Sequence, residues 1–401
     1  MHPPDAKAPP LAIWALGLTQ IVGYGTLYYS FAILVPAMAA ELALPEQWVF
    51  AAFSGALLAG SLLAPTAGRW ADRHGAGRVM APGSLAAAAA LGACALAPGP
   101  ASFVAALAAM QLAACFVLYS TAFVAIVQLG PQGAQRSIIH LTLIAGFASS
   151  LFWPLTTALH AQLTWREVYL VYAGLNLLVC LPVHAWLTRL SRRRIASFAA
   201  GPRTTLPADA PAVSDPARVR LVFALVLAAF ALEGFVLSAM LVHMVPLLGA
   251  LGLGAAAALV ATLFGPSQVA SRLINMVFGG RLRQAVLAVI SAGLLTLGLT
   301  ALVTGAPWLP GVVAFVILFG LGSGLASIVG GTLPLELFGR DGYGARLGWI
   351  TAARQFSSAF APFAFAFVMA QSTAAASLWS LAAIAAAAVA TFVVIASVSR
   401  R

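Results

Sequence analysis

Three charged side chains stand inside long apolar runs of the chain: Glu233, Arg272 and Arg354. A charge in such a run is costly and is kept where it has a partner or a task. A guanidinium forks onto a carboxylate through paired N–H donors, and two guanidiniums repel unless an anion bridges them. These residue types point to capture of a small organic anion, with Glu233 able to hold or release a proton. Other readings stay open. Either arginine can snorkel on its long stem to the membrane surface, and Glu233 can pair with an arginine or stay protonated. His243 lies in the same run as Glu233 and is a second candidate for moving a proton, with a packed imidazole as the alternative.

The elements that position these groups follow from composition. The 401 residues are 62% hydrophobic and 8% charged, against about a quarter charged in soluble domains. That excludes a soluble enzyme with a large core and leaves an all-α polytopic membrane protein. Windows of about 20 apolar residues give twelve spans: Leu11–Met38, Trp48–Ala67, Val79–Ala97, Ser102–Val127, Ile138–His160, Val168–Leu187, Leu221–Leu248, Ala255–Phe278, Ala285–Thr304, Leu309–Leu333, Leu347–Ala370 and Ala374–Val398. The first run has one lysine before it and no small-residue cleavage site, so it reads as a retained span.

The net charge of +11 lies in alternate loops. Arg69, Arg73 and Arg78 follow span 2, Arg136 follows span 4, and a cluster from Arg189 to Arg220 follows span 6. Arg281, Arg283, Arg340 and Arg346 follow spans 8 and 10, and the intervening loops are nearly free of positive charge. This is the positive-inside pattern of membrane topology, not a nucleic-acid surface. It places both termini in the cytoplasm, in a bacterial-type inner membrane. Only Arg166 departs from it, beside Glu167. The Pro-containing, charged segment 191–220 reads as a linker between a bundle over 1–190 and a second over 221–401.

On that topology, and at 1.5 Å per residue, Glu233 lies roughly 18 Å deep, Arg272 roughly 9 Å and Arg354 roughly 11 Å from the cytoplasmic ends of their spans. The two arginines thus sit at matched depth on spans 8 and 11. The halves show weak internal symmetry: aligning Arg136 with Arg346 sets Ile144 opposite Arg354, so the ionic site belongs to the second half. Small residues at helix-packing spacing, Ala51, Gly55 and Ala59 on span 2 and Gly320 and Gly324 on span 10, are expected to let backbones approach closely. Gln20, Tyr24 and Tyr28 fall at i, i+4 and i+8 and would share one face of span 1, lining a cavity or packing on a neighbouring helix. Cys94, Cys115 and Cys180 lie on three different spans and read as packing residues.

The loop after span 2 reads Gly68-Arg-Trp-Ala-Asp-Arg-His-Gly-Ala-Gly-Arg78. It resembles the signature Gly-x-x-x-Asp-Arg-x-Gly-x-x-Arg/Lys of the major facilitator superfamily, with Gly68, Asp72, Arg73, Gly75 and Arg78 matching in type and spacing. The glycines suit a tight turn, and the Asp72 carboxylate can sit at a helix N-terminus or against an arginine. The resemblance implies the major facilitator fold, two pseudo-symmetric six-helix bundles, with this loop acting as a latch on the cytoplasmic side. The second-half counterpart, Gly279-Gly-Arg-Leu-Arg283, lacks the aspartate.

The first span, rich in glycine and aromatics, is similar to the monocarboxylate and oxalate/formate transporter branch. That branch has a basic residue in span 8 that binds the substrate carboxylate, and its oxalate/formate members have a second in span 11. The resemblance assigns those roles to Arg272 and Arg354. The monocarboxylate pattern has an aspartate four residues before the span 8 arginine; here it is Gln268, which cannot take a proton, so coupling would fall to Glu233 or His243.

The expected function is secondary active transport of a small carboxylate anion by alternating access, as a symporter, uniporter or exchanger. The alternative is efflux of a drug or trivalent arsenical. Enzyme activity has no support in a nucleotide loop, metal cluster or nucleophile–base pair, and no cofactor or metal is implied. The expected partners are the lipid bilayer, an anionic solute and protons, for a monomer that binds no nucleic acid.

Overall fold

A backbone crossing lipid must satisfy its own hydrogen bonds, which an apolar chain achieves as helices. The computed structural model describes residues 7–200, 212–213, 215–254, 256–279 and 282–399. The helices group into the twelve segments expected from the sequence. Ten are long and apolar enough to cross a membrane by themselves: Pro10–Glu41, Glu46–His74, Ala76–Ala95, Pro100–Leu129, Ala134–His160, Trp165–Arg192, Pro216–Leu253, Gln284–Gly305, Leu309–Phe338 and Ala374–Val398. The other two carry Arg272 and Arg354. Span 8 is broken into Ala256–Ala261 and Phe264–Phe278, and span 11 is Tyr343–Gln371. The break in span 8 has a local cause. Pro266 has no N–H to give the carbonyl four residues back, and it fits the first turn of a new helix. Arg203 and most prolines of the expected linker lie outside the described residues, as do Arg281, Arg400 and Arg401.

The chain forms two compact units. The first comprises Met1–Ala210 with Arg340–Ala352, and the second Pro211–Gly339 with Ala353–Arg401. Phe31, Phe103, Trp165, Tyr169 and Tyr172 anchor the core of the first. Phe315, Phe319, Phe365 and Leu378 lie in that of the second.

The expected symmetry of Ile144 and Arg354 is visible in packing. A Cβ on Gly17 of span 1 would lie 2.6 Å from Ile144 Cγ2, and one on Gly234 of span 7 would lie 2.6 Å from Arg354 Cγ. Each half thus lays the same span 5 or span 11 position across a glycine of its first helix.

Irregular backbone in the first unit is stitched by amides. Span 1 passes through a π turn at Gly25–Tyr29, and span 4 breaks between Ala114 and Tyr119. Gln111 Nε2 donates to Leu27 O in the π turn at 2.8 Å, and Gln20 Nε2 donates to Val117 O in the break at 2.8 Å. Each glutamine covers a carbonyl in the other span's irregular stretch. Gln111→Leu is expected to leave a buried carbonyl unpaired and cost about 1–3 kcal/mol, read as a lower unfolding temperature of the purified protein. An unchanged temperature would count against this role.

The π turn also corrects the expected stripe on span 1. A π turn takes more residues per turn than the 3.6 of an α-helix, so Tyr28 leaves the face that Gln20 and Tyr24 share toward span 4. Tyr24 packs at a tilt against Tyr119 of span 4, ring centroids 4.7 Å apart, and reaches Tyr29 at 6.2 Å. Tyr28 turns instead to Phe53 of span 2 at 5.8 Å, while Gln20 is fully buried.

One other expectation changes. Gly55 does not carry close packing, since nothing lies within 4 Å of a Cβ built there. The packed face of span 2 runs through Ala56, Gly60 and Ala64, all buried, with a Cβ on Gly60 only 3.1 Å from Gln111 O. The span 10 pair behaves as expected: a Cβ on Gly320 would meet Ser267 Cβ at 2.7 Å, and one on Gly324 would overlap Ser271 Oγ. Arg166, the exception to the charge pattern, pairs not with its neighbour Glu167 but with Glu41, Nε to Oε1 at 2.5 Å, and also donates to Ala95 O. Glu41 accepts from Trp165 Nε1 as well. Glu167 is occupied in a capping box with Thr164.

Candidate functional site

The Arg272 helix, Phe264–Phe278, packs against span 10 through Gly320 and Gly324, and that close approach sets up a polar ladder. Gln268 and Arg272 stand at i and i+4 on one helix, and Ser323 and Ser327 at i and i+4 on the other. Gln268 Nε2 donates to Ser323 Oγ at 2.7 Å, and Arg272 Nε to Ser327 Oγ at 3.1 Å. Arg272 is 6% exposed, so its guanidinium is held against span 10 and does not snorkel outward.

Arg354 reaches the same turn of span 10 from span 11. Its stem crosses Gly234, and its Nη1 would lie 3.9 Å from a Cβ on Gly330. Ser327 and Gly330 are three residues apart, about 4.5 Å along the helix axis. The two arginines expected at matched depth are therefore brought to one turn of span 10. Arg354 is exposed, and no ion pair of Arg354 is present among the described residues.

The Arg354 helix is held on span 7 by a polar seam. Pro362 deprives the Ser358 carbonyl of its helical donor, and Ser238 Oγ supplies one at 2.7 Å. Ser358 Oγ donates in turn to Gly234 O at 3.0 Å. His243 Nε2 lies 3.0 Å from Pro362 O. With an acceptor of that kind the nitrogen carries its proton, so His243 serves this seam.

Glu233 is 1% exposed. Its Oε1 accepts from Ser291 Oγ at 3.0 Å, and Oε2 has no hydrogen-bond partner. Arg354 interacts with it electrostatically. In the first half His184 Nδ1 lies 2.7 Å from Ser84 Oγ on span 3, and Nε2 lies 3.1 Å from Thr19 Oγ1 on span 1. The serines missed by sequence reasoning, Ser238, Ser291, Ser323, Ser327 and Ser358, were legible in part. Ser323 and Ser327 repeat the spacing of Gln268 and Arg272 on a neighbouring apolar helix.

The signature loop forms a second cluster, within the first unit. Asp72 Oδ1 accepts from Gly344 N at 2.9 Å and Oδ2 from Ala345 N at 2.8 Å. An anion thus caps the N-terminus of the helix Tyr343–Gln371, where free N–H groups and the helix dipole favour it. The approach depends on glycines. A Cβ on Gly68 would overlap Gly344 O, one on Gly344 would lie 2.6 Å from Asp72 Oδ1, and one on Gly348 would lie 2.7 Å from Pro65 Cα.

Gly75 makes the turn at φ 90°, a conformation glycine adopts without strain. Arg73 and Arg78 are exposed. Gln128 of span 4 fixes the turn by donating to Ala71 O at 2.9 Å and accepting from Ala76 N at 2.8 Å. In the second half Glu336 of span 10 holds the equivalent place and accepts from Gln284 N at 2.7 Å.

Cys94 and Cys180 are buried in the first core, and Cys115 Sγ donates to Gly60 O. Among the described residues no three His, Cys, Asp or Glu side chains form a group able to hold a metal.

The sequence matches the family profile described as Major Facilitator Superfamily over residues 16–362. No curated protein matches it. Among solved structures it is similar to the human organic anion transporter MFSD10 (TETRAN), with TM-score 0.73 and 14% identity over 96% of this chain and 100% of that one. It is also similar to the proton:xylose symporter XylE bound to 6-bromo-6-deoxy-D-glucose, with TM-score 0.72 and 14% identity over 94% of each chain.

Proposed function

Because the chain belongs to the major facilitator superfamily, it is a membrane transporter of a small solute, and we propose that this solute is a carboxylate anion held by Arg272 and Arg354. The observation that carries the reading is the meeting of both arginines at Ser327 and Gly330 of span 10. Each guanidinium offers N–H pairs in a plane, the geometry a carboxylate accepts. Gln268 extends the polar wall from the same helix, and Tyr24 and Tyr28 are the aromatic side chains that the first half contributes to substrate binding, while Gln20, buried and bonded to Val117 O, ties span 1 to span 4. MFSD10 is an organic anion transporter, but at 14% identity the likeness shows fold alone, so the argument rests on the arginines.

Transport proceeds by rocking of two halves, 1–190 and 221–401 joined by 191–220, around the bound solute. Asp72, with Gly68, Arg73, Gly75 and Arg78, forms the latch on the cytoplasmic side. The protein works as a monomer in a bacterial-type inner membrane, with both termini in the cytoplasm.

The test is uptake and counterflow in proteoliposomes with labelled oxalate, lactate, pyruvate and arsenite. Counterflow of one or more carboxylates, with no trapping of arsenite, is the expected result. Trapping of arsenite without carboxylate flux would overturn the reading in favour of efflux of a toxic solute.

A further inference from the structure

We propose that Glu233 is a protonation switch that sets the charge of the arginine site, so that the site takes a monoanion when Glu233 is ionised and a dianion together with a proton when it is neutral. This deepens the anion reading above and rests on it.

The geometry provides for both states. Ser291 Oγ lies 3.0 Å from Glu233 Oε1 and 3.0 Å from Gly322 O. A hydroxyl has one hydrogen and two lone pairs, so it can serve only one of these acceptors at a time. With Glu233 ionised, the hydrogen goes to Oε1. With Glu233 protonated, the carboxyl donates to Ser291 Oγ, and the serine hydrogen turns to Gly322 O. Neither state leaves the hydroxyl idle, and the exchange needs no movement of a helix. The backbones are held for this at Gly322, where a Cβ would lie 2.8 Å from Ser291 O. Oε2 of Glu233 is buried without a hydrogen-bond partner.

The surrounding charges are few. Spans 9 and 12 carry none between Gln284 and Gly305 or between Ala374 and Val398. Span 10 carries only Glu336, engaged at Gln284 N and Ala285 N. Span 11 brings Arg346 and Arg354, and span 8 brings Arg272. On span 7 itself Arg218 pairs with Asp215, Arg220 lies near the same end, and His243 is bonded to Pro362 O. Glu233 therefore answers chiefly to Arg354, whose stem lies on the adjacent Gly234. An anion bound to Arg354 competes with Glu233 for that positive charge, and a second negative charge on the anion is best matched when a proton neutralises the carboxylate. Proton and dianion then favour each other's binding reciprocally.

The test uses the purified full chain with oxalate as dianion and lactate as monoanion, both fully ionised over a range of about pH 5.5 to 7.5. Oxalate should bind up to about tenfold tighter per unit of acidification and take up about one proton per anion, read with a pH dye in weak buffer. Lactate, with half the charge, should tighten on acidification by a clearly smaller factor than oxalate. Glu233→Gln should bind oxalate at all pH values as the unaltered protein does in acid, with no proton uptake. Retention of the pH dependence in this variant overturns the switch. So does pH-independent oxalate binding to the unaltered protein when that binding still requires Arg272; loss of oxalate binding altogether overturns the anion reading as well. If Glu233→Gln does not fold, Ser291→Ala keeps the carboxylate and removes the relay. It should shift the midpoint of the pH dependence, and an unmoved midpoint counts against the proposal.

Discussion

Arg272→Gln is expected to weaken carboxylate binding by roughly 10²–10³-fold while leaving the protein folded. Removing one partner of a buried charge-assisted contact costs about 2–5 kcal/mol, and each 1.4 kcal/mol is about tenfold. The glutamine can still reach span 10 through Ser327, so the ladder begun by Gln268 and Ser323 keeps its packing. Arg272→Lys should recover only part of the loss, since an ammonium keeps the charge but not the planar fork. Equilibrium binding of labelled oxalate and lactate, alongside thermal unfolding, separates the two effects. A lysine variant as tight as the arginine would show that charge alone is used.

The second large effect is expected from Gly348→Leu. A Cβ there would already lie 2.7 Å from Pro65 Cα, and the backbone at that point cannot yield as a flexible side chain would. Overpacking of this kind costs about 1–3 kcal/mol. Spans 2 and 11 would be forced apart, and the two bonds from Asp72 to Gly344 N and Ala345 N, each worth about 1.5–3 kcal/mol to a charged acceptor, would weaken with them. A single cysteine placed at Ala345, in a chain whose own cysteines are replaced, should be labelled by a soluble maleimide roughly tenfold or more faster in the leucine variant. Transport should fall in parallel. Unchanged labelling would mean that the glycine seam does not hold the latch closed.

Much of this was readable in the residues, and what was missed has physical reasons. Hydropathy marks the spans because lipid forces each crossing into one self-bonded helix. Arg272 and Arg354 stand out because a charge in such a run is rare. The matched depth of the two arginines follows from counting residues, but their meeting at span 10 does not, because rotation about each helix axis is set by packing. That packing is glycine-led, at Gly320, Gly324 and Gly234, and a glycine in sequence does not say which helix fills the space above it. Gly55 illustrates the point, for its spacing resembled a packing motif while the close contact fell on Gly60.

The seam at Gly344 and Gly348 was available as an i, i+4 glycine pair at the start of span 11, just where the signature aspartate needed a partner. Tyr28 falls off the face of Gln20 and Tyr24 because a π turn shifts every later side chain, and nothing local in Gly25-Thr-Leu-Tyr-Tyr29 announces one. The serines went unremarked because a hydroxyl can satisfy itself on its own helix. Only the neighbouring span shows that Ser291 and Ser327 face Glu233 and Arg272.

The central claim is that one anion is held by two arginines from spans 8 and 11. A double-mutant cycle tests it most directly, with oxalate binding measured for the unaltered protein, Arg272→Gln, Arg354→Gln and the double variant. If both guanidiniums grip the same ion, each single variant loses most of the binding and the double loses much less than the sum, a coupling of about 0.5–3 kcal/mol. Additive losses, or oxalate binding in Arg354→Gln as tight as in the unaltered protein, would contradict the account.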